Sequence, residues 1–254
     1  MTKGVSIKFK SYQETVSKLL ELIKLSQELQ KHKKIILKPS LKNSNSSVTS
    51  PDFVEAVLKF CLKHKTPETE VFIAEGSDGE ETMEVFKNRK YTNLAEKYSI
   101  GLVDLNNTEL QEIRDGEFLR FSEINYPKIL LESFIISLPR LAEDSETEIQ
   151  GSLSNMLGVF PAYYYSGIFS KNKTKIRKWN IKYSIHDILK CKMPQLAIID
   201  ASEKGFILAG LPLSMDIQAA KLLGKDWRSI SHLRLAHESF SEPKKKTEEL
   251  QIIQ

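Results

Sequence analysis

Residues 33–77 read KKIILKPSLKNSNSSVTSPDFVEAVLKFCLKHKTPETEVFIAEGS, and this stretch decides the fold class. "KKIILKP" is a short apolar run stopped by Pro39, and a polar loop follows. Ser50-Pro51-Asp52 then combines a capping hydroxyl, a first-turn proline and an acid placed near the positive end of a helix dipole. Phe53, Val54, Val57, Leu58 and Cys61 recur at helical spacing to about His64. "EVFIAEGS" is a second apolar run, ending in a Gly-Ser loop. Both strands are apolar along their length instead of alternating, so each is buried on two faces. That pattern, with a helix between, predicts a parallel pair.

The rest of the chain repeats the unit. "VSIKFK" alternates apolar and polar residues as a half-exposed strand does, and Tyr12 to His32 carries helical spacing. Glu80 to Tyr98 is one interrupted helix or two short ones. "IGLVDLNN", "SFIISLP", "PQLAIID" and "GFILAG" are further strands, and Ser214–Leu223 and Trp227–Phe240 are helices. The expected fold is α/β: a mostly parallel sheet with helices on both faces, three layers deep. Residues 1–240 are expected to form a single α/β domain, with 241–254 as a C-terminal tail.

Glu143, Asp144, Glu146 and Glu148 crowd one short loop. Ser145-Glu146-Thr147-Glu148 fits S-x-x-E, the reciprocal capping box, ahead of a helix predicted from Glu146 to Leu157. Extra acids before a helix are favoured by its dipole. A pair of these carboxylates could instead act as acid and base or hold Mg²⁺; the helix start is the simpler explanation of the composition.

Composition excludes several classes. Apolar residues are 41% and charged residues 28% of the 254, ordinary for a globular protein. No apolar run approaches the roughly 18 residues of a membrane span, and "MTKGVSIKFK" lacks the apolar core of a secretory signal. Cys61 and Cys191, 130 positions apart, suit a reducing cytoplasm better than a disulfide framework or a metal cluster. The net charge is +4, yet "KNKTKIRKWNIK" (residues 171–182) holds six basic residues and no acid, so the remainder is net negative. Basic character is local.

Ligands of open α/β sheets sit beyond the carboxyl ends of the strands. That rule selects Lys38, Glu75, Ser77, Asn106, Arg140 and Asp200. A small anionic ligand is expected there, accompanied by a divalent metal in one version. Lys38 and Arg140 would neutralise it, Ser77 and Asn155 would hydrogen-bond it, and Asp200 with Asp216 would face a metal or a sugar hydroxyl. "EGSDGE" has neither GxGxxG nor GxxxxGK[ST], so neither a dinucleotide nor a nucleoside triphosphate is specifically indicated, and the cofactor is left open. His232 and His237, five apart, do not make an i, i+4 metal pair.

The competing expectation is a non-catalytic interaction protein with an eroded pocket, contacting a protein partner or nucleic acid through residues 160–183. There Tyr164 and Trp179 could stack bases while Lys173, Lys175 and Arg177 contact phosphates. No RNA-binding motif accompanies the segment.

The order of the pieces resembles the domain-of-unknown-function family 362 through nearly the whole chain, to about Phe240. "ILKPS" keeps the Lys-Pro of a Lys-Pro-Asn strand end, with Ser40 in place of the asparagine. "TSPDFVEAVLKF", "AEGS" and "LVDLN" match the next helix start and two strand ends. "LPRLAED" and "LSNMLG" keep Pro139, Asn155 and Gly158 of a Pro-Lys-x-Lys-Thr-His strand end and a Lys-Asn-x-x-Gly helix. "AIIDAS" and "LAGLPLSMDIQAAKLLG" match the closing strand and an Ala-Gly-x-Pro-x-x-x-Asp turn. The departures are specific: an acidic loop replaces Lys-Thr-His, Ser154 stands at the helix lysine, and a Gly-rich stretch after Asp200 is missing. Two isolated cysteines cannot supply the iron–sulfur module that some relatives append. The resemblance implies that a cationic, His-containing pocket has been partly lost, with altered ligand choice or loss of catalysis.

Overall fold

The structure is a computed structural model describing residues 4–41, 48–167 and 170–241. Of the expected tail, residues 242–254 lie outside the described residues. The strands are β1 (Gly4–Lys8), β2 (Lys34–Pro39), β3 (Glu70–Glu75), β4 (Gly101–Asp104), β5 (Leu110–Ile113), β6 (Ile124–Pro127), β7 (Phe134–Leu138), β8 (Ala142–Asp144), β9 (Glu148–Gln150), β10 (Leu196–Ala201) and β11 (Phe206–Gly210). The helices are α1 (Tyr12–Leu22), α2 (Leu25–Leu29), α3 (Pro51–His64), α4 (Thr82–Asn88), α5 (Tyr91–Tyr98), α6 (Lys128–Leu131), α7 (Ala162–Tyr165), α8 (Ile181–Cys191), α9 (Pro212–Leu222) and α10 (Ser231–Phe240).

Seven strands form the main sheet in the order β1-β11-β10-β7-β2-β3-β4. β11 pairs antiparallel with both β1 and β10, and the other pairings are parallel, so β11 alone runs against the rest. Successive side chains leave opposite faces of a strand. Ile35 and Leu37 therefore pack with Val16, Leu19, Phe53 and Val57 of α1 and α3. Ile36 and Ile135 face the other way, toward Ile185 and Ile188 of α8 and Leu233 of α10. The expected α/β architecture is what the chain adopts. No helix among the described residues is long and apolar enough to cross a membrane.

α3 begins as its sequence predicts: Ser50 Oγ accepts the Asp52 N–H at 3.2 Å, with Pro51 in the first turn. Two local expectations are corrected, and one element comes without a sequence expectation. The Tyr12–His32 helix breaks at Lys24, whose φ is 57°, so that Leu25 and Leu29 turn into the core. Asp115, Phe118 and their neighbours belong to an excursion from β4 to β7 containing the β5–β6 hairpin, which the apolar strand pattern does not announce.

The other correction is the acidic loop. No helix starts at Glu146; β8 and β9 form a hairpin, and a 3₁₀ turn spans Ser154–Val159. Asp144 Oδ1 accepts the N–H groups of Glu146 and Thr147 and the Thr147 hydroxyl, closing the hairpin turn. Glu148 does serve a helix, but a distant one: its Oε1 accepts the Ser231 N–H at 2.9 Å, at the start of α10. Glu143 pairs with Lys225 and Glu146 with Arg177. All four acids thus have structural partners.

Candidate functional site

The chain passes from β2 to β3 and β4 on one side, then returns to place β7 on the other. The strand order reverses between β2 and β7, where a crevice opens beyond the strand ends. Their register pairs Lys38 with Ser137 and Pro39 with Leu138. A cavity of about 410 Å³ lies over this region, walled by residues 40–41, 75–78, 144–146, 154–155, 157–158 and part of 172–177.

Glu75 lines the floor, and Lys38 lies beneath it. Both are buried, and Lys38 Nζ lies 2.9 Å from each Glu75 carboxylate oxygen. Asn155 spans the crevice, its Nδ2 donating to the Lys38 carbonyl and the Ser137 hydroxyl at 3.0 Å each. The turn carrying Asn155 must approach closely, and two glycines permit it. A Cβ on Gly158 would lie 2.0 Å from Glu75 Oε1, and one on Gly76 would lie 2.4 Å from the Gly158 carbonyl. The Asn-x-x-Gly spacing therefore has a physical meaning: the asparagine bridges two strands and the glycine clears the ion pair.

Asp216 holds this turn from behind. Its buried carboxylate accepts the N–H groups of Ser152 and Leu153 at 2.6 and 2.8 Å. Desolvation pushes its pKa up to about 7, against the lowering effect of those two bonds. Lys173 holds the other end, donating from Nζ to the carbonyls of Gly158 at 3.0 Å and Gly76 at 2.7 Å. Burial lowers the Lys173 pKa to about 7, while Glu75 and Asp78 pull it upward and Lys38 adds to the lowering.

The rim is tied by Arg177, which lies 2.7 Å from both Asp78 Oδ2 and Glu146 Oε1. Asp78 Oδ1 also accepts the Lys173 N–H at 2.6 Å. Arg120 anchors the same segment by donating to the carbonyls of Lys175 and Ile176. Ser77 is 4% exposed and lines the cavity, and its buried Oγ has no hydrogen-bond partner among the described residues. Asn106 steadies its loop, donating to the Ser77 carbonyl and Thr82 Oγ1.

Of the residues selected from the sequence, Glu75, Ser77 and Asn155 line the cavity, and Lys38 is buried beneath it against Glu75. Asp216 stands behind its wall. Arg140 and Asp200 lie elsewhere, beside one another at the end of β10. There Arg140 pairs with Glu203, and Asp200 accepts Tyr12 Oη at 2.8 Å and the Ser202 N–H at 3.0 Å. Neither lines the cavity. Among the described residues, no group of three or more His, Cys, Asp and Glu side chains is placed to hold a metal ion.

The 160–183 segment also differs from its expectation as an open basic strip. Lys173 is fully buried, and Arg177 is held by two carboxylates. Lys175 Nζ donates to the Tyr164 carbonyl at 2.8 Å. Tyr164 and Trp179 remain exposed. Asp78, Glu146, Gly158, Lys173 and Arg177 are the site residues that strand-end reasoning missed. Four of them come from loops and turns that only the folded chain brings over the crevice; Asp78, directly after Ser77, could have been taken with the strand end.

No curated protein matches this chain. The family described as "Domain of unknown function (DUF362)" matches residues 35–206, from β2 to the start of β11. That span contains every cavity-lining residue and covers more than half of the sequence, so the chain belongs to the domain-of-unknown-function family 362.

Proposed function

We propose that this protein binds a small polar molecule in the cavity between the ends of β2 and β7. The observation that carries the reading is the cavity itself, which lies at the reversal of strand order and is lined by Glu75, Ser77, Asp78, Glu146, Asn155 and Arg177. The cavity's 410 Å³ falls within the size range of small-molecule sites.

The ligand expected from strand ends is an anion neutralised by Lys38 and Arg140. The geometry favours a different charge. Lys38 is matched by Glu75, Arg177 is matched twice, and Arg140 pairs with Glu203 away from the cavity. A ligand without net negative charge fits these surroundings better. No reaction is assigned to the site.

The test is a melting-temperature screen of small polar molecules against the full chain and a Thr174→Trp variant. Thr174 is exposed and lines the cavity, so the indole fills the opening without entering the core. A hit at 100 times its Kd adds about 2.7 kcal/mol of stability. Hits lost in the variant support the reading. A diverse library without a single such hit overturns it.

A second reading, an interaction protein using residues 160–183, is favoured by one observation: Tyr163 and Trp179 are 85% and 61% exposed. With Lys173 buried and Arg177 held by two carboxylates, this reading concerns a protein partner rather than nucleic acid. Single-stranded oligonucleotide should show no retention at low salt, where phosphate contacts are strongest.

A further inference from the structure

Residues 171–178, KNKTKIRK, supply one wall of the cavity through Asn172, Thr174, Ile176 and Arg177. The segment has little with which to enter a core: Ile176 is its single apolar residue, and it is buried. Its other attachments are polar. Arg120 holds the carbonyls of Lys175 and Ile176, and Arg177 ties the segment to Asp78 after β3 and to Glu146 before β9. The strands beneath, β2 and β7, are instead mostly apolar and buried along almost all their length. Segments with few buried apolar contacts open at lower free energy than the core.

Lys173 is the fastening that reaches inward. Its N–H donates to Asp78 Oδ1, and its buried Nζ donates to the carbonyls of Gly76 and Gly158, pinning the segment to two other parts of the wall at once. Glu75 of β3, Asp78 and Asp104 of β4 face the amine and favour the ammonium, and Lys38 of β2 opposes it. Arg177 bonds the Lys173 carbonyl, and the turn Ser154–Val159 brings no titratable side chain. Burial is the largest influence and brings the pKa down to about 7. In water the same amine returns toward 10.5, so lifting it takes up a proton anywhere between the two values.

We propose that residues 171–178 are a strap that lifts from the cavity while the sheet stays folded, and that uptake of a proton at the Lys173 amine releases it. Lifting removes Asn172, Thr174 and Arg177 from the wall and opens the floor at Glu75 to solvent. Acidification through the range above neutrality opens the cavity, and alkalinisation closes it. The motion belongs to the free protein and goes beyond the cavity-binding reading, so the two stand or fall separately.

Native-state hydrogen exchange of the full chain, read by mass spectrometry, tests the strap. Protection is expressed relative to an unstructured peptide, which cancels the intrinsic pH dependence of exchange. Near pH 8 the amides of residues 171–178 should be about 100-fold less protected than those of β2 and β7. Low urea should leave strap protection unchanged, because a local opening exposes little surface, while core protection falls. From about pH 9 down to about pH 7.5 strap protection should drop roughly tenfold per unit, and Lys173→Met should abolish that slope. Strap amides as protected as the core, or falling in step with it in urea, open only by global unfolding and overturn the proposal. A flat pH profile, or a slope that survives in Lys173→Met, overturns release by the proton. The urea and pH responses need only the unaltered chain, so they decide the matter even where Lys173→Met fails to fold.

Discussion

Gly158 sits where any side chain would strike the Lys38–Glu75 pair, with a Cβ 2.0 Å from Glu75 Oε1 and 2.9 Å from Lys38 Nζ. Both struck atoms belong to a salt bridge that is shut off from water, so relief by side-chain rotation would break it. Gly158→Ala should cost at least the 1–3 kcal/mol typical of overpacking, read as a lower midpoint in urea unfolding. Glu75→Gln removes the negative charge set against the buried Lys38 ammonium and should cost about 3–5 kcal/mol. Replacing both residues, as Lys38→Met with Glu75→Leu, should cost less than Glu75→Gln alone. A double variant less stable than that single one would contradict this account. The sequence exposes Lys38 and Glu75 because a strand end is a local signal. It exposes Asn155 and Gly158 only through their family spacing. Lys173 has no such signal: in a basic run it resembles its neighbours, and only tertiary packing buries its amine behind Gly76 and Gly158.

Elements follow the same division between local and distant causes. α3 is legible to the residue because its cap, proline and apolar spacing lie in one continuous stretch. Ser50→Ala should destabilise the protein by about 1 kcal/mol, measurable by thermal or urea unfolding, whereas Ser50→Asp should be near neutral. The acidic hairpin misleads for the opposite reason. S-x-x-E is a true capping pattern, yet Glu148 caps α10, 83 positions away in sequence. Its φ of 68° also departs from any helical conformation. Substituting Glu148 should therefore loosen the start of α10, visible as faster amide exchange near Ser231 rather than near Ser145.

For the whole molecule, the turn carrying Asn155 is gripped at one end by Asp216 and at the other by Lys173, and both titrate abnormally. Asp216 has a folded pKa raised from 3.8 to about 7. Its contribution to stability is fully present below 3.8 and is lost as pH rises toward 7. Lys173 has a folded pKa lowered from 10.5 to about 7. Its contribution is present above 10.5 and is lost as pH falls toward 7. Together they impose a minimum near neutrality, each tenfold difference in acidity between folded and unfolded chain being worth about 1.4 kcal/mol. Asp216→Asn should flatten the acid side of the stability profile and Lys173→Met the alkaline side, in urea midpoints from pH 4 to pH 10. The alternation of apolar strands and helices makes the parallel layer legible, because burial on two faces writes itself into every strand. The reversed β11 is not legible, since its residues pack as those of its neighbours do.

That reversed strand has a consequence for assembly. β1 lies at the sheet margin, where β11 is its one paired strand among the described residues. A protein shortened past Lys8 would present the backbone donors and acceptors of Phe206–Gly210 to any extended segment nearby. Such a truncate becomes an acceptor for strand donation: a free peptide with the sequence GVSIKFK should occupy the vacated margin, and without it two truncates would be drawn together edge to edge.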